Sequence, residues 1–254
     1  MEFCSDKDKY PNIHTLIRND VLLKTVKEFY ATTGTFPRIL EYGCGLGGTI
    51  DVLKGCWTEY LAIDANPDVI AHLQKVKNYP KLEYRCCTDL VSVQQKYDII
   101  ICLSVLEHVE DDAQFLQSFF QRLENNGYLI AQVPAFQELF SIIDEYYGHY
   151  RRYDYQQLIC LLSENGFIIK DFLSQGLRIL WPYEIYKFRR AISGLKLDRQ
   201  TQNLQSGVTQ FSNLSKAVLR LKSHLYPFIK KKYERFCRRY ISAGIEFLFV
   251  ARKL

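Results

Sequence analysis

Short apolar runs rich in β-branched residues alternate with longer segments of helical periodicity from Phe36 to Gly176. This alternation predicts an α/β domain built on a parallel sheet. Six of the runs are predicted strands: Arg38–Tyr42, Tyr60–Ile63, Leu82–Arg85, Tyr97–Leu103, Tyr128–Val133 and Phe167–Leu173. The fourth run is nearly continuous in apolar residues, as expected for a central strand that helices cover on both faces.

Helices are predicted where start and stop signals flank the periodic segments. The segment Asp68–Lys77 follows Pro67, and Asp111–Leu123 opens with two acidic residues, which favour a helix N-terminus. A third predicted helix, Tyr155–Glu164, ends at Asn165-Gly166, a common helix stop.

A seventh strand, Ile245–Ala251, comes only after an interruption of some seventy residues. Such a length indicates an insertion rather than a plain connection. Within it, 198–215 is polar, and Lys216–Tyr240 is a cationic helical pattern broken at Pro227. We therefore expect a single domain over 1–254, with a helical extension (1–35), an α/β core (36–176), a helical basic insertion (177–243) and a final strand (244–254).

The first predicted strand runs into a glycine-rich turn, EYGCGLGG, at residues 41–48. Glycines at 43, 45 and 47 allow a sharp turn and a close approach of the backbone to a ligand. The turn predicts a binding site for a large polar molecule.

These glycines also satisfy the pattern of a nicotinamide dinucleotide site, because Gly43, Gly45 and Gly48 read as G-x-G-x-x-G. Asp64 follows Gly43 by 21 residues, where such a site keeps its ribose-binding acid. Glu41 argues against this interpretation, because its carboxylate would repel a pyrophosphate and attract the amino group of an amino-acid moiety. On the glycine turn and Asp64 alone, an oxidoreductase stays open.

Four elements in order carry a more specific resemblance: E-x-G-x-G-x-G after the first strand, an acid ending the second, D-L after the third and S-x-L-E-H-V after the fourth. Together they resemble class I S-adenosylmethionine-dependent methyltransferases. The resemblance implies a Rossmann-like, doubly wound sheet of seven strands in the order 3-2-1-4-5-7-6, with the last strand antiparallel. It implies S-adenosyl-L-methionine as the cofactor, held by the residues Glu41, Gly43, Gly45, Gly47, Asp64, Asn66, Asp89, Leu90 and Ser104.

A narrower resemblance covers Val133–Leu158, which is similar to bacterial methyltransferases with G-H-x-R-R-Y after the fifth strand. Many of these act in polysaccharide, lipid or secondary-metabolite pathways. The segment leaves the carboxyl end of a strand, where ligands bind in open α/β sheets. His149 is the candidate base or acceptor-orienting group, with Tyr147 and Arg152 as further catalytic candidates. The structural alternative is that Arg152 pairs with Asp144 or Glu145 and pins the segment to the domain, while His149 anchors a turn through hydrogen bonds. His108 is expected to be structural.

The composition bears on the partners, the metal content and the location of the protein. The net charge of +5 is too small to indicate nucleic acid, and eight cysteines without a C-x-x-C motif indicate reduced thiols and no metal site. The absence of a secretion signal or membrane span predicts a cytoplasmic protein. Nine cations against Glu234 within Lys216–Arg239 allow three interpretations: packing over the domain, peripheral membrane contact through 216–239, or nucleic-acid binding. The resemblance favours the first, because it implies that an insertion before the seventh strand, here Leu177–Tyr240, forms a lid over the acceptor site.

The sequence therefore predicts a methyltransferase that uses S-adenosyl-L-methionine and acts on a small-molecule or lipid-like acceptor, with oxygen as the favoured accepting atom. Two alternatives remain at this point: a NAD-dependent oxidoreductase, and a non-catalytic partner protein that keeps the same fold. The sequence does not indicate the oligomeric state.

Overall fold

A single mixed sheet of seven strands forms the centre of the computed structural model, which describes residues 13–192 and 226–254. The strand order is β3-β2-β1-β4-β5-β7-β6. Strands β1 to β5 pair in parallel, and β7 runs antiparallel between β5 and β6. The predicted order and the antiparallel last strand are confirmed. The strands are β1 Arg38–Tyr42, β2 Glu59–Asp64, β3 Leu82–Cys86, β4 Tyr97–Leu103, β5 Leu123–Pro134, β6 Phe167–Gln175 and β7 Glu246–Lys253.

Eight α-helices flank the sheet in the described residues: α1 Ile13–Thr33, α2 Gly48–Val52, α3 Pro67–Val76, α4 Asp112–Arg122, α5 Ile142–Tyr147, α6 Tyr155–Glu164, α7 Trp181–Ile192 and α8 Tyr226–Arg239. The predicted starts of α3 and α4 lie within one residue of the observed ones because side chains cap both helices. Asn66 accepts a hydrogen bond from the Asp68 amide, and Asp111 accepts one from the Gln114 amide, each at 2.9 Å.

The core has two layers because successive side chains of a strand point to opposite faces. Ile39 belongs to the layer that contains residues of α1, α2, α3 and α8, whereas its neighbour Leu40 belongs to the layer that contains residues of α4 and α6. Both side chains are fully buried. Helices therefore cover both faces of β1 and β4, and only the ends of these strands remain open for a ligand.

Strand β5 begins five residues earlier than the predicted Tyr128. Leu123 pairs with Tyr97, and the register then shifts so that Tyr128 pairs with Ile99. Asn126 takes a left-handed backbone with φ of 64°. The sequence Glu124-Asn125-Asn126-Gly127 is typical of a turn. In the fold it is an irregular part of the strand, between Leu123 and Tyr128, which both pair with β4.

The two described helices of the insertion lie in different places. Helix α7 packs against α5, where the Phe188 ring lies 5.0 Å from that of Tyr146. Helix α8 packs on the sheet beside α1, and the hydroxyl of its Tyr233 accepts a hydrogen bond from the Gly176 amide at 2.9 Å. Pro227 lies in the first turn of α8. The polar stretch 198–215 and residues 216–225 of the predicted cationic helix lie outside the described residues. None of the described helices has the length and apolarity that crossing a bilayer requires.

The close contact of the glycine turn with the end of β4 yields a stability prediction. Gly43 and Gly55 share a φ of +78°, but a Cβ at Gly43 would lie 2.3 Å from Cγ2 of Val105, and one at Gly55 would meet nothing within 4 Å. We expect Gly55→Ala to lower the free energy of unfolding by about 1 kcal/mol, from the left-handed backbone alone. Gly43→Ala should lose a further ~1–3 kcal/mol from overpacking. Urea unfolding measures both, and equal losses would contradict the close packing.

Candidate active site

The glycine turn is tied to the end of the neighbouring strand by its backbone. The amides of Gly43 and Cys44 both donate to the carbonyl of Ile63, at 2.8 and 2.9 Å. Gly47 then takes a left-handed backbone with φ of 71° and leads into α2. The turn therefore lies at the carboxyl edge of the sheet, between the ends of β1 and β2.

Asp64 ends β2 and closes the turn from the other side. Its Oδ2 accepts a hydrogen bond from the Gly45 amide and its Oδ1 accepts one from the Asn66 amide, both at 2.9 Å. The residue is half-buried. A carboxylate has about four acceptor positions, so Asp64 keeps capacity for two hydroxyl donors of a ligand. Asn66 itself uses its side chain to cap α3.

The other residues assigned to the cofactor differ in their surroundings. Asp89 is exposed and accepts a hydrogen bond from the Val91 amide at 2.9 Å. The Leu90 side chain is buried in the core, so only its backbone can border a ligand. Ser104 is exposed at the end of β4, takes a left-handed backbone with φ of 55°, and donates its amide to Gln132. Their roles toward the cofactor stay predictions.

Glu41 lies buried on the face of the sheet that packs against α1. Its carboxylate accepts a hydrogen bond from the Tyr60 hydroxyl at 2.7 Å. Burial raises the pKa of Glu41 to about 7, although the hydrogen bonds from Tyr60 and Thr49 and the charge of Arg18 oppose this rise. The sequence gives no signal for Arg18, because nothing in α1 shows which strand its side chain will face.

A second buried carboxylate, Glu246, lies on the same face at the start of β7. It accepts a hydrogen bond from Gln132 at 2.9 Å, and burial raises its pKa. Arg18 interacts electrostatically with both Glu41 and Glu246. The carboxyl edge of the sheet under α1 is therefore polar, in contrast to the apolar layers further in.

Asp144 organises the segment that follows β5. Ser141 and Asp144 form a capping box at the start of α5, and the Asp144 side chain is fully buried. Its Oδ1 lies 2.8 Å from Nε of Arg152 and 2.9 Å from Nδ1 of His149. Burial alone would raise the pKa of Asp144, but the hydrogen bond from His149 and the charge of Arg152 hold this pKa below its ordinary value. Because an ionised carboxylate only accepts hydrogen bonds, Nδ1 of His149 carries a proton and Nε2 faces away from Asp144.

Arg152 pairs with Asp144, and this pairing, which was expected of a structural segment, is confirmed. Its guanidinium also donates to the Ala135 carbonyl at 3.2 Å and lies 4.2 Å from the ring of Trp181. These contacts tie Arg152 to Ala135, Asp144 and Trp181, and a catalytic role for it stays a prediction. The Tyr147 ring stacks near that of His149, with centroids 6.2 Å apart, and burial raises the pKa of Tyr147.

Glu107 and His108, which follow β4, meet His149 at the end of the sheet. The His108 and His149 rings lie 4.7 Å apart, and ligand atoms of the three residues all lie within 4.8 Å of one another. Burial lowers the pKa of His108 to about 4 and raises that of Glu107 to about 8. Two imidazoles and a carboxyl are also residue types that can hold a transition metal. The proximity of His108 to His149, 41 positions later, is not predictable from the sequence because it depends on the fold of Gln137–Gly148.

The chain is similar in sequence to known O-methyltransferases. The chain is 29% identical over 138 residues to malonyl-[acyl-carrier protein] O-methyltransferase from Bacillus cereus. The match covers 52% of this chain and 51% of that protein. It is 32% identical over 117 residues to a ubiquinone biosynthesis O-methyltransferase from Rickettsia typhi, covering 45% and 47%. The chain thus spans about half the length of these curated relatives.

Solved structures share the fold at low identity. The N-methyltransferase NodS from Bradyrhizobium japonicum, in complex with S-adenosyl-L-homocysteine, has a TM-score of 0.53 and 20% identity, over 66% of this chain and 82% of that one. The [4+2]-cyclase SpnF has a TM-score of 0.57 and 14% identity, over 92% and 79%. Since a cyclase shares this fold, the fold alone does not decide the reaction.

A family model described as "Methyltransferase domain" matches residues 15–170. This range includes the glycine turn, Asp64, the Glu107-His108 pair and the segment with His149. It covers more than half of the chain and also includes Glu41 and Asp144. The chain therefore belongs to the methyltransferase-domain family.

Proposed function

We propose that the protein transfers the methyl group of S-adenosyl-L-methionine to a hydroxyl group of a small-molecule or lipid-like acceptor. The observation that carries this proposal is the pairing of two features at one sheet edge. An acid bonded to a glycine turn lies at the ends of β1 and β2, and a histidine oriented by a buried aspartate lies beyond the ends of β4 and β5.

The part of the site at the ends of β1 and β2 fits a zwitterionic nucleoside better than a dinucleotide. Asp64 offers acceptors for the two ribose hydroxyls beside the bare backbone of Gly45, where a Cβ would meet no atom within 4 Å. Glu41 supplies negative charge below the turn, which favours an ammonium group and disfavours a pyrophosphate. This arrangement supports S-adenosyl-L-methionine over NAD, and the family match supports neither the oxidoreductase nor the non-catalytic alternative.

The part of the site around His149 supplies a base for the proton that the acceptor hydroxyl loses. When bound, S-adenosyl-L-methionine offers a methyl group on a sulfonium, which departs as a neutral thioether once the acceptor oxygen bonds to the methyl carbon. The acceptor hydroxyl must lose its proton in this displacement, and Nε2 of His149 is the proposed recipient. Asp144 stabilises the imidazolium that results, because its carboxylate lies 2.9 Å from Nδ1. Tyr147 and Phe188 cover the site from α5 and α7, with ring centroids 6.0 Å apart.

The class of acceptor rests on relatives and on the residues around His149. Both relatives named above are O-methyltransferases. The aromatic cover suits an apolar acceptor with a polar reactive end. The similarity of Val133–Leu158 to G-H-x-R-R-Y methyltransferases of lipid and polysaccharide pathways points the same way and remains a prediction, as does the role of the insertion as a lid.

The proposal is tested with methyl-labelled S-adenosyl-L-methionine and a panel of phenols, hydroxy acids, hydroxylated lipids and matched amines. We expect label on an oxygen of at least one hydroxylated compound, together with stoichiometric S-adenosyl-L-homocysteine. Label on the amines only would move the accepting atom to nitrogen. Oxidation of NADH by carbonyl compounds, without methyl transfer, would overturn the proposal.

Glu41 gives a pH prediction for cofactor binding. Its pKa of about 7 means that the carboxyl is largely protonated in the free protein below that pH. The cofactor's ammonium favours the ionised form, so binding at about pH 6.5 should release a proton, and affinity should rise as the pH increases from about 6 to 7.5. Above about pH 8 the cofactor's own amino group loses its charge.

Calorimetry in two buffers with different heats of ionisation measures this proton release. Glu41→Gln should remove both the buffer dependence and the rise in affinity. A binding heat of the unmodified protein that does not depend on the buffer would contradict the role of Glu41.

A further inference from the structure

An apolar surface interrupts the polar exterior of the protein just after β6. Ile179 is 84% exposed, Tyr183 57% and Tyr186 56%, and Leu177 and Leu180 are also exposed. Large exposed apolar patches on a polar protein indicate contact with a partner or a membrane. We call the surface formed by these five residues the apolar face.

The apolar face continues onto helix α8. Leu177 and Ile179 line a hollow of about 390 Å³ together with Phe236 of α8 and Ala243. Tyr240, directly after α8, is exposed as well. The apolar face therefore adjoins apolar residues of α8 and the segment after it, which lie far from it in sequence.

Cations surround the apolar face. The stretches Leu177–Ile192 and Tyr226–Ala243 contain ten Lys and Arg residues and only two acids, Glu184 and Glu234. Each of these acids pairs with a cation of its own helix, Lys187 or Arg238. Three of the ten cations also pair with acids of other elements: Arg178 with Glu138, Lys230 with Asp20, and Arg238 with Asp171. On α8, Lys231, Arg235 and Arg239 are exposed at a spacing of four residues, which places them on one side of the helix.

The exposed aromatic residues are of the type that lies at a membrane boundary. On α7, Tyr183 and Tyr186 are three positions apart and share the outward side of the helix. Lys187 lies 5.1 Å from the Tyr183 ring, and Arg190 lies 6.0 Å from the Tyr186 ring. Tyrosine with neighbouring Arg or Lys suits the headgroup layer, because the ring and the stem are apolar while the tip is polar.

We propose that the apolar face and the cations around it dock the protein on an anionic lipid bilayer. An apolar patch that carries excess positive charge is complementary to anionic headgroups above acyl chains. Another copy of this chain would bring the same positive charge against it and be repelled. The charge therefore selects the lipid surface among the possible occupants.

Docking places the candidate active site at the membrane. The inward side of the same segment touches that site, since Nε1 of Trp181 donates to the Leu139 carbonyl at 2.8 Å and the Phe188 ring packs on Tyr147. A lipid-like acceptor would reach His149 from the bilayer along α7. This consequence rests on the proposed function, whereas the docking itself does not.

Co-sedimentation with vesicles tests the docking. The full chain is mixed with vesicles of phosphatidylcholine alone or with one quarter phosphatidylglycerol, at about 0.1 M salt and at higher salt. We expect binding to the anionic vesicles that weakens at higher salt, and much weaker binding to phosphatidylcholine. Ile179→Ser/Tyr183→Ser/Tyr186→Ser should lower the partition coefficient at least about tenfold. Arg189→Ser/Arg235→Ser should lower it by about 25-fold, at about fivefold for each charge.

Matched controls come from the opposite edge of the sheet. Val76 and Val91 lie beside β3 and are 56% and 75% exposed, and Lys75 and Lys96 are exposed near them. Val76→Ser/Val91→Ser and Lys75→Ser/Lys96→Ser should bind vesicles like the unmodified protein. All variants change exposed side chains, and circular dichroism checks their fold.

Several results would overturn the docking. These are no binding to anionic vesicles, equal binding to both vesicle types, and equal loss in the control variants. A dimer that the triple serine variant dissociates, without vesicle binding, would assign the face to a second copy. A titration with S-adenosyl-L-homocysteine on the same samples reports on the proposed function separately, because none of the changed residues is assigned to the cofactor.

Discussion

Replacing Asp64 by alanine is expected to weaken the binding of S-adenosyl-L-homocysteine at least about a hundredfold. Two hydrogen bonds from ribose hydroxyls to a carboxylate contribute about 1.5–3 kcal/mol each, and both are lost. The same substitution releases the Gly45 amide, which donates to Asp64 at 2.9 Å, so the glycine turn also loses its anchor. Isothermal titration calorimetry measures the change.

Asp68→Ala provides the control for this prediction. Asp68 is an exposed acid four residues further on, in the first turn of α3, and it has no assigned role toward the ligand. We expect it to leave the affinity within about twofold of the unmodified protein. If Asp64→Ala binds the ligand as tightly as Asp68→Ala does, the ribose assignment is wrong.

Removing the imidazole of His149 should slow methyl transfer by about 10²–10⁴-fold, the range associated with a positioned general base. Cofactor affinity should stay within about twofold, because His149 lies beyond β5, away from the glycine turn. The rate is measured as formation of S-adenosyl-L-homocysteine with the acceptor found by the methyl-transfer screen. Retained turnover in His149→Ala would place proton removal on another group.

A double-variant comparison separates a base oriented by Asp144 from a merely structural histidine. If Asp144 acts through His149, His149→Ala/Asp144→Asn should be no slower than His149→Ala alone. Additive losses would contradict the pairing in catalysis. Affinity for S-adenosyl-L-homocysteine reports whether the variants keep their fold, since Asp144→Asn also weakens the buried pair with Arg152.

The fold was predictable from sequence where local signals and the family resemblance agreed. Strand β1 has its predicted bounds because an apolar run ends at the glycine turn, and α6 has its predicted bounds because Asn165-Gly166 stops it. The start of β5 was not predictable, because pairing between Leu123 and Tyr97 overrides the turn preference of the residues between Leu123 and Tyr128.

The site was predictable only where its residues follow strands. Asp64 and Glu41 could be located because the carboxyl ends of parallel strands meet at one edge. The electrostatic interaction of Arg18 with Glu41 and the contact of His108 with His149 depend on how α1 and α5 pack, and no periodicity in the sequence encodes this. The apolar face likewise required the exposure of individual side chains, since Ile179 and Tyr183 would fit a buried helix equally well by pattern.

The identity of the cofactor is tested most directly by a pair of calorimetric titrations of the unmodified protein, one with S-adenosyl-L-homocysteine and one with NADH. We expect saturable binding of S-adenosyl-L-homocysteine at one site per chain and no binding heat with NADH. Saturable binding of NADH, with none for S-adenosyl-L-homocysteine, would contradict the assignment of Glu41, Asp64 and the glycine turn.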